Sequence, residues 1–321
     1  MRVLCRVIVA IAVLLTVPFA AAQTYPDKSI RVIVGVPSGG SPDIIARMIA
    51  PAMSSLLGQQ LVVDNRGGAG GLIGTELAAR AAPDGYTLFL CSASFAIQPH
   101  LRKQPSYDPV KDFSPVGLIA DTAQVLVVRP ALPVTTIQEL IALAKAQPVK
   151  LNYASAGIGS PIHLAMELFD SKAGVQITHV AYKGVPQAMT DLLGGTVDLT
   201  ITAVRVAQPL LKAGRLRALG ITSARRSALL PEIPTISEAG VPGYEWGTWY
   251  GLLAPAKTPK AIISRLNTSM LKVLGAPEMK SQFAAQGNDV IAGSPEEFAA
   301  FIRREYVTIG EAVKLSKLQA E

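Results

Sequence analysis

Two short segments of the chain carry residue types that grip an anion without covalent chemistry. Pro37-Ser38-Gly39-Gly40-Ser41-Pro42-Asp43 and Ser155-Ala156-Gly157-Ile158-Gly159-Ser160-Pro161 are both glycine-rich and both run into Ser-Pro. Serine is a preferred helix N-cap, and proline suits the first helical position. The first turn of a helix leaves backbone N–H groups free, and the helix dipole adds partial positive charge there. Glycine lets a ligand come close to the backbone. If the two segments lie in different lobes and face one cleft, they form a two-sided anion clamp. Each also reads as an ordinary strand-to-helix loop, because capping alone accounts for Ser and Pro. The near repetition is what points to binding.

Other chemistries fit less well. Gly67-Gly68-Ala69-Gly70-Gly71-Leu72-Ile73-Gly74 is glycine-dense, but Ile73 stands where a dinucleotide fingerprint needs glycine or alanine, so it reads as a supple loop before a helix. A serine hydrolase would use Ser160 and His163, yet the G-x-S-x-G elbow is absent and the pair fits capping and a polar rim. His100, His163 and His179 lack ligand-like spacing with one another or with Cys91, so no metal cluster is expected. Lys183 reads as a solvated surface cation, and Trp246, Trp249 and Tyr250 as core or hinge packing.

The elements that must position the two segments alternate between strand and helix, which predicts α/β lobes with largely parallel sheets. Strands are expected at Ile30–Val36, Leu61–Asp64, Thr87–Cys91, Gln124–Val128, Leu151–Ala154, Ile177–Tyr182, Val197–Ile201, Leu216–Thr222 and Trp249–Leu253. Ser41 is read as the cap of a helix opening at Pro42, kinked by Pro51 and ended by Gly58. A second helix ends near Ala82, and others start near Thr136, Pro161, Pro186 and Val206. The C-terminal part is helical over Lys260–Leu274 and Pro277–Gln286, followed by a last helix with Ser294 and Glu297 as its capping box.

The chain has 321 residues, half of them hydrophobic, enough for two lobes with filled cores. Its net charge is +7, spread along the chain rather than clustered, which suits anionic solutes and not nucleic acid. Arg2 and Arg6, the apolar run Val7–Phe19 and Ala20-Ala21-Ala22 have the charged, apolar and small-residue order of a cleavable export signal over residues 1–22. The apolar run is short for a membrane span. Without Arg2 and Arg6 the balance is 28 basic against 23 acidic residues, and Cys91 is left as the single cysteine.

The segments YPDKSIRVIVGVPSGGSPDIIARMIAP, VVDNRGGAGGLIGTELAARAAPDGYTL, YDPVKDFSPVGLIA and LNYASAGIGSPIHLAMELF occur in order. HVAYKG, DLLGGTVD, KAGRLRALGITSARR, PEIPTISEAGVPGYE, WYGLLAPAKTP and SPEEFAAFIRREY follow them. Together they resemble the Bug-type receptors of tripartite tricarboxylate transporters along the whole chain after the signal. The resemblance implies the two-lobed periplasmic-binding-protein fold (Venus flytrap, type II), with the second lobe inserted in the first. On this reading residues 23–123 and 225–321 form lobe 1 and residues 124–224 form lobe 2. It implies a receptor without catalytic residues or cofactor. Such a receptor takes up a small organic anion, such as a carboxylate, and passes it to a membrane permease or a sensor kinase. A monomer is expected, and no nucleic-acid partner.

Carried over, the ligand loops fall on Pro37, Ser38, Gly39, Gly40, Ser41 and Asp43, and on Ser155, Ala156, Gly157, Gly159 and Ser160, with His163 following. Ser92 and Ser94 fall near the same cleft. One departure stands out. The family often has Phe-Asp-Asn after its GGxVD motif, before a Pro and the next helix, whereas this chain has Thr200-Ile201-Thr202-Ala203-Val204-Arg205. Arg205 therefore bears on ligand choice, or else sits on the next helix facing solvent.

The export reading has a direct check. Intact mass of the secreted protein is expected to show a chain beginning at Gln23, and a species retaining Arg2 to Ala22 would contradict it.

Overall fold

The computed structural model describes residues 25–315. The expected export signal, with Cys5, lies outside the described residues. The chain runs through β1 (Ile30–Val34), α1 (Ser41–Leu57), β2 (Leu61–Asn65), α2 (Leu72–Ala79), β3 (Thr87–Ser92), the short α3 (Ser94–Ile97) and a 3-10 turn at Gln98–Leu101. It continues with β4 (Phe113–Thr122), β5 (Gln124–Val128), α4 (Ile137–Ala146), β6 (Asn152–Ser155), α5 (Pro161–Ala173), β7 (Thr178–Ala181) and α6 (Val185–Gly194). Then come β8 (Leu199–Ala203), α7 (Val204–Lys212), β9 (Arg217–Ile221), β10 (Thr248–Pro255), α8 (Lys260–Gly275), α9 (Pro277–Ala285), β11 (Asn288–Val290) and α10 (Pro295–Leu315). Among the described residues no helix is long and apolar enough to cross a membrane.

The strands form two sheets, in the orders β11-β4-β10-β3-β1-β2 and β7-β6-β8-β5-β9. The expectation of largely parallel sheets is corrected to mixed ones. Strand β1 pairs parallel with β2 and β3, and β6 with β7 and β8. Strand β10, however, lies antiparallel to β3 and β4, and β5 lies antiparallel to β8 and β9. The cause is connectivity. A parallel neighbour needs a helical crossover to bring the chain back, whereas β4 passes into β5 through Ala123 alone. The chain thus enters the second sheet directly from the first, without turning round. The stretch after β9 keeps to the second sheet: Ile221 bridges Thr235, the Trp246 N–H donates to the Thr222 carbonyl, and the Tyr244 hydroxyl donates to the Ala165 carbonyl. The return to the first sheet falls between Trp246 and Thr248, some twenty residues beyond the expected 225.

Strands β4 and β11 were not expected. Pro115 in the middle of a run argues against a strand. Here it is accommodated by a bulge: Leu252 pairs with Gly117 and Leu253 with Pro115, which leaves Val116 as the extra residue. Alternate residues of the first sheet feed two core layers. Val32, Val34, Leu88 and Leu90 pack with α1 and α8, while Ile33, Phe89 and Cys91 face the layer that holds Phe298 and Ile302 of α10. That second layer also holds Leu126 and Tyr153 from the other sheet and Phe169 from α5, so one apolar layer joins the lobes. Trp246, Trp249 and Tyr250 are all buried, and Trp249 Nε1 donates to Glu305 of α10 at 3.0 Å. Ser294 and Glu297 form the expected capping box.

Gly251 sets how closely α10 approaches the return strand, because a Cβ there would fall on the ring of the fully buried Phe298. Gly251→Ala is expected to cost ~1–3 kcal/mol, read as a melting-temperature drop of ~2–4 °C per kcal/mol. Gly275→Ala, which meets open space, is the control expected to melt within a degree or so of the parent.

Candidate functional site

The carboxyl ends of β1 and β3 in one sheet, and of β6 and β8 in the other, lead into the loops and helix starts singled out above. Open α/β sheets bind their ligands at such ends. The first loop differs in detail from expectation. The N-cap of α1 is Gly40, with φ −70° and ψ 156°, and Ser41 is already the first helical residue. In the second loop Ser160 is the N-cap as expected, with φ −71° and ψ 156°, and its hydroxyl accepts from the His163 N–H.

The two starts share a further device. In each, the residue at the third helical position reaches back to the N–H of a glycine four residues earlier. Gly39 donates to Asp43 Oδ2 at 2.8 Å, and Gly159 donates to His163 Nδ1 at 3.0 Å. Both glycines have positive φ, 85° and 71°, a conformation that L side chains rarely take. Asp43 is 2 % exposed and is further held by Ser38, Arg47 and Asn65. Burial alone would raise its pKa, but the hydrogen bonds from Arg47, Gly39 and Asn65 outweigh this and hold it below the ordinary value. Asp43 is thus engaged with its own loop. The N–H groups of Gly40, Gly157 and Ser160 are also taken, by Pro37 O, Ser155 Oγ and Gly157 O. The amides of Ser38, Ser41, Ala156 and Ile158 have no acceptor among the described residues and are the ones left to meet a ligand.

Beneath the second loop lies a cluster that spacing alone did not reveal. His163 and His179 stack with centroids 3.9 Å apart, and Tyr153 stacks on His179 at 4.9 Å. His179 Nε2 lies 2.6 Å from Ser155 Oγ. Tyr153 and Ser155 point to one face of β6, and register places His179 opposite Tyr153. Burial, and for His163 also its neighbour His179, pushes both imidazoles down to about 4, so both are neutral near pH 7. Accepting at Nδ1 puts the His163 proton on Nε2, which faces Glu167 at 3.7 Å. This arrangement counts against hydrolysis. The His163 ring is bonded to Gly159, not to Ser160 Oγ, and Ser155, which does meet a histidine, is fully buried beyond reach of a substrate carbonyl.

The first loop rests on the other glycine-rich segment. A Cβ on Gly67 would fall 2.9 Å from Pro37, and one on Gly74 2.8 Å from the Gly35 Cα. Gly67–Gly74 is therefore a close-packed buttress, and Gly71 is the N-cap of α2. Ser92 and Ser94 line a cavity of about 20 Å³ together with Pro42, Gly71 and Thr75, room for about one water molecule.

Arg205 lies on the first turn of α7, half-buried, and reaches towards the other lobe. Its Cβ is 3.7 Å from the space a side chain on Gly287 would fill. Its charge acts on Tyr250, whose hydroxyl interacts with Thr122 and Ser41. Burial raises the Tyr250 pKa, and these three neighbours oppose the rise. Tyr250 pairs with Ser92 across β10 and β3, so Ser41, Ser92, Tyr250 and Arg205 form one patch. The guanidinium has no acidic partner among the described residues. On the other side of the cleft Gly159 packs onto Leu101 of the 3-10 turn. Sequence reading missed Leu101, Gln98, Tyr250 and His179 as site residues. Gln98 was signalled only as a polar residue after the apolar run Phe95-Ala96-Ile97, and Leu101 carried no such signal.

Two α/β lobes joined at two crossings, with strand-to-helix loops lining the gap, define a solute receptor of the periplasmic-binding-protein class. The family model described as tripartite tricarboxylate transporter family receptor matches residues 45–318, and the chain belongs to that family. BugT of Bordetella pertussis is 39 % identical over 287 residues, 89 % of this chain and 88 % of that protein. Rpa4515 of R. palustris, solved with adipate, superimposes with a TM-score of 0.84 at 37 % identity, covering 91 % of this chain and 98 % of that one. MatC of Rhodopseudomonas palustris, solved with bound malate, gives 0.82 at 30 % identity, covering 90 % of this chain and 100 % of that one. The family is one of solute-binding receptors, not of enzymes.

Asp170 lies in the last turn of α5, at the end of the helix away from the loop, 8 % exposed, with Oδ2 accepting from the Ile177 N–H and Oδ1 buried without a partner among the described residues. Burial, and secondarily the neighbouring Glu167, push its carboxyl up to about 7. The folded state then holds a proton that the unfolded state releases near pH 4, so this group's contribution to stability falls as pH rises from about 4 through about 7. Asp170→Asn lacks that loss. Its melting temperature is expected to gain on the parent between pH 5 and pH 7 and to level off above that, and a gap independent of pH would show that Asp170 is ionised throughout.

Proposed function

We propose that this chain is an exported periplasmic receptor that closes its two lobes on a small organic anion, a carboxylate, and hands it to the permease of a tripartite tricarboxylate-type transporter. The observation that carries the reading is Arg205, a half-buried cation without an acidic partner among the described residues, set between the lobes beside Tyr250 and Ser41. A desolvated guanidinium is costly unless paired, and a carboxylate offers it two parallel hydrogen bonds. The free amides of Ser38, Ser41, Ala156 and Ile158 supply further donors on the two loops. Arginine rather than lysine suits such a site, because its planar fork matches a carboxylate. Adipate and malate in the related receptors belong to the same chemical class. The excess of basic residues favours encounter with anions generally.

The reading is tested by binding. A matching carboxylate at a hundredfold above its Kd should stabilise the chain by ~2.7 kcal/mol, a rise of several degrees in melting temperature. In calorimetry with that ligand, Arg205→Ala and Arg205→Lys are both expected to lose tenfold or more in affinity, about 1.4 kcal/mol, while the empty proteins melt like the parent. Near-native affinity in both variants would remove Arg205 from the site. A broad carboxylate panel without any thermal shift would remove the function.

A further inference from the structure

Gln98 opens the 3-10 turn that follows α3 in the first lobe, four residues after Ser94. It is 5 % exposed. Its Nε2 occupies the space that a side chain on Gly70 would need, and lies 3.8 Å from where a Cβ on Gly159 would stand. The carboxamide is therefore wedged between a loop of the first lobe and the ligand loop of the second. Both glycines have positive φ, 67° and 71°, so their side-chain space is kept clear by backbone conformation as well as by packing. No hydrogen bond joins the carboxamide to any described residue.

The turn itself is held from both sides. Tyr107 donates to the Phe95 carbonyl at 2.7 Å and stacks on Phe95, and His100 Nε2 meets the Tyr306 carbonyl at 2.7 Å. Gln98 thus stands on a rigid support, with two donors and an acceptor unspent. Although the residue as a whole is 5 % exposed, its carboxamide atoms are not among the fully buried ones and keep access to solvent, so an oxygen of a ligand can reach them.

We propose that Gln98 is a specificity-determining ligand contact on the first-lobe wall of the cleft, its Nε2 donating to an oxygen of the bound carboxylate and its Oε1 accepting from a hydroxyl where the ligand has one. The inference rests on the carboxylate-receptor reading above and deepens it. Arg205 supplies charge on the hinge side, and Gln98 supplies an uncharged, directional contact that discriminates by the position of oxygens. Its placement beside Gly159 also couples it to closure, because the second lobe must arrive for the wedge to be complete.

The test begins with a thermal-shift panel of short mono- and dicarboxylates that includes malate and adipate, followed by calorimetry with the tightest member. Gln98→Glu keeps the shape and replaces the donor with a negative charge. It is expected to bind at least a hundredfold more weakly than the parent. Gln98→Leu, which loses the hydrogen bond without adding repulsion, is expected to lose about tenfold. A packing role alone would treat the two variants alike and would lower the melting temperature of the empty protein. Affinities within twofold of the parent for both, or equal losses in both, overturn the proposal. Should either substitution unfold the chain, the side-chain amide resonance of Gln98 in the parent decides: a shift on saturation with the ligand supports the contact, and an unmoved resonance overturns it. A panel without any binder defeats the receptor reading first and this inference with it, whereas a binder indifferent to Gln98 defeats this inference alone.

Discussion

In both cleft loops a glycine N–H is claimed by a side chain four residues further on, at the third position of the helix that follows. This backward hydrogen bond converts a flexible glycine segment into a fixed one. Gly39 and Gly159 are free to take positive φ, but that freedom costs order unless something holds the chosen conformation. Asp43 and His163 hold it. The helix start then presents the remaining amides in a set direction, and less ordering is left for a ligand to impose.

The two holding groups differ in charge, and their surroundings follow from that. Asp43 is an anion at the positive end of α1, tied by Arg47 and Asn65, so a charge buried at 2 % exposure is stabilised on every side. His163 accepts only while its Nδ1 is unprotonated. The apolar, stacked environment with His179 and Tyr153 keeps it so, and Ser155 is locked through His179 in the same act. One loop is fixed by paying for a charge with partners, the other by excluding charge through burial. Neither arrangement leaves an activated nucleophile, which agrees with a receptor family.

The lobes are joined by more than the two crossing strands. Helix α10 packs Phe298 against β10, and a single apolar layer continues from Phe89 in the first sheet to Tyr153 and Phe169 near the second. The cleft contacts, Gly159 on Leu101 and Arg205 by Gly287 and Tyr250, then lie on either side of a firmly built hinge.

Much of this was legible in the residues. Apolar β-branched runs marked most strands, Ser160 and Ser294 marked their caps, Gly58 its helix end, and the repeated Gly-Ser-Pro segments marked two strand-to-helix loops. These are local signals, set by backbone stereochemistry within a few residues. What the sequence left open depended on pairing across long separations. Strand β4 was hidden by Pro115 until a bulge opposite Leu252 and Leu253 accommodated it. Ser41 read as a cap because its chemistry suits one, yet Asp43 had already satisfied the loop, leaving the Ser41 hydroxyl for Tyr250. His179, Gln98 and Tyr250 entered the site only through register and lobe contact. The sequence by itself determined most of the elements, the α/β fold class and the two loops. Only the tertiary structure decided which N–H groups are spent, which polar side chains stand unpaired, and which cation faces the cleft, because hydrogen-bond partners are assigned by proximity in space and not along the chain.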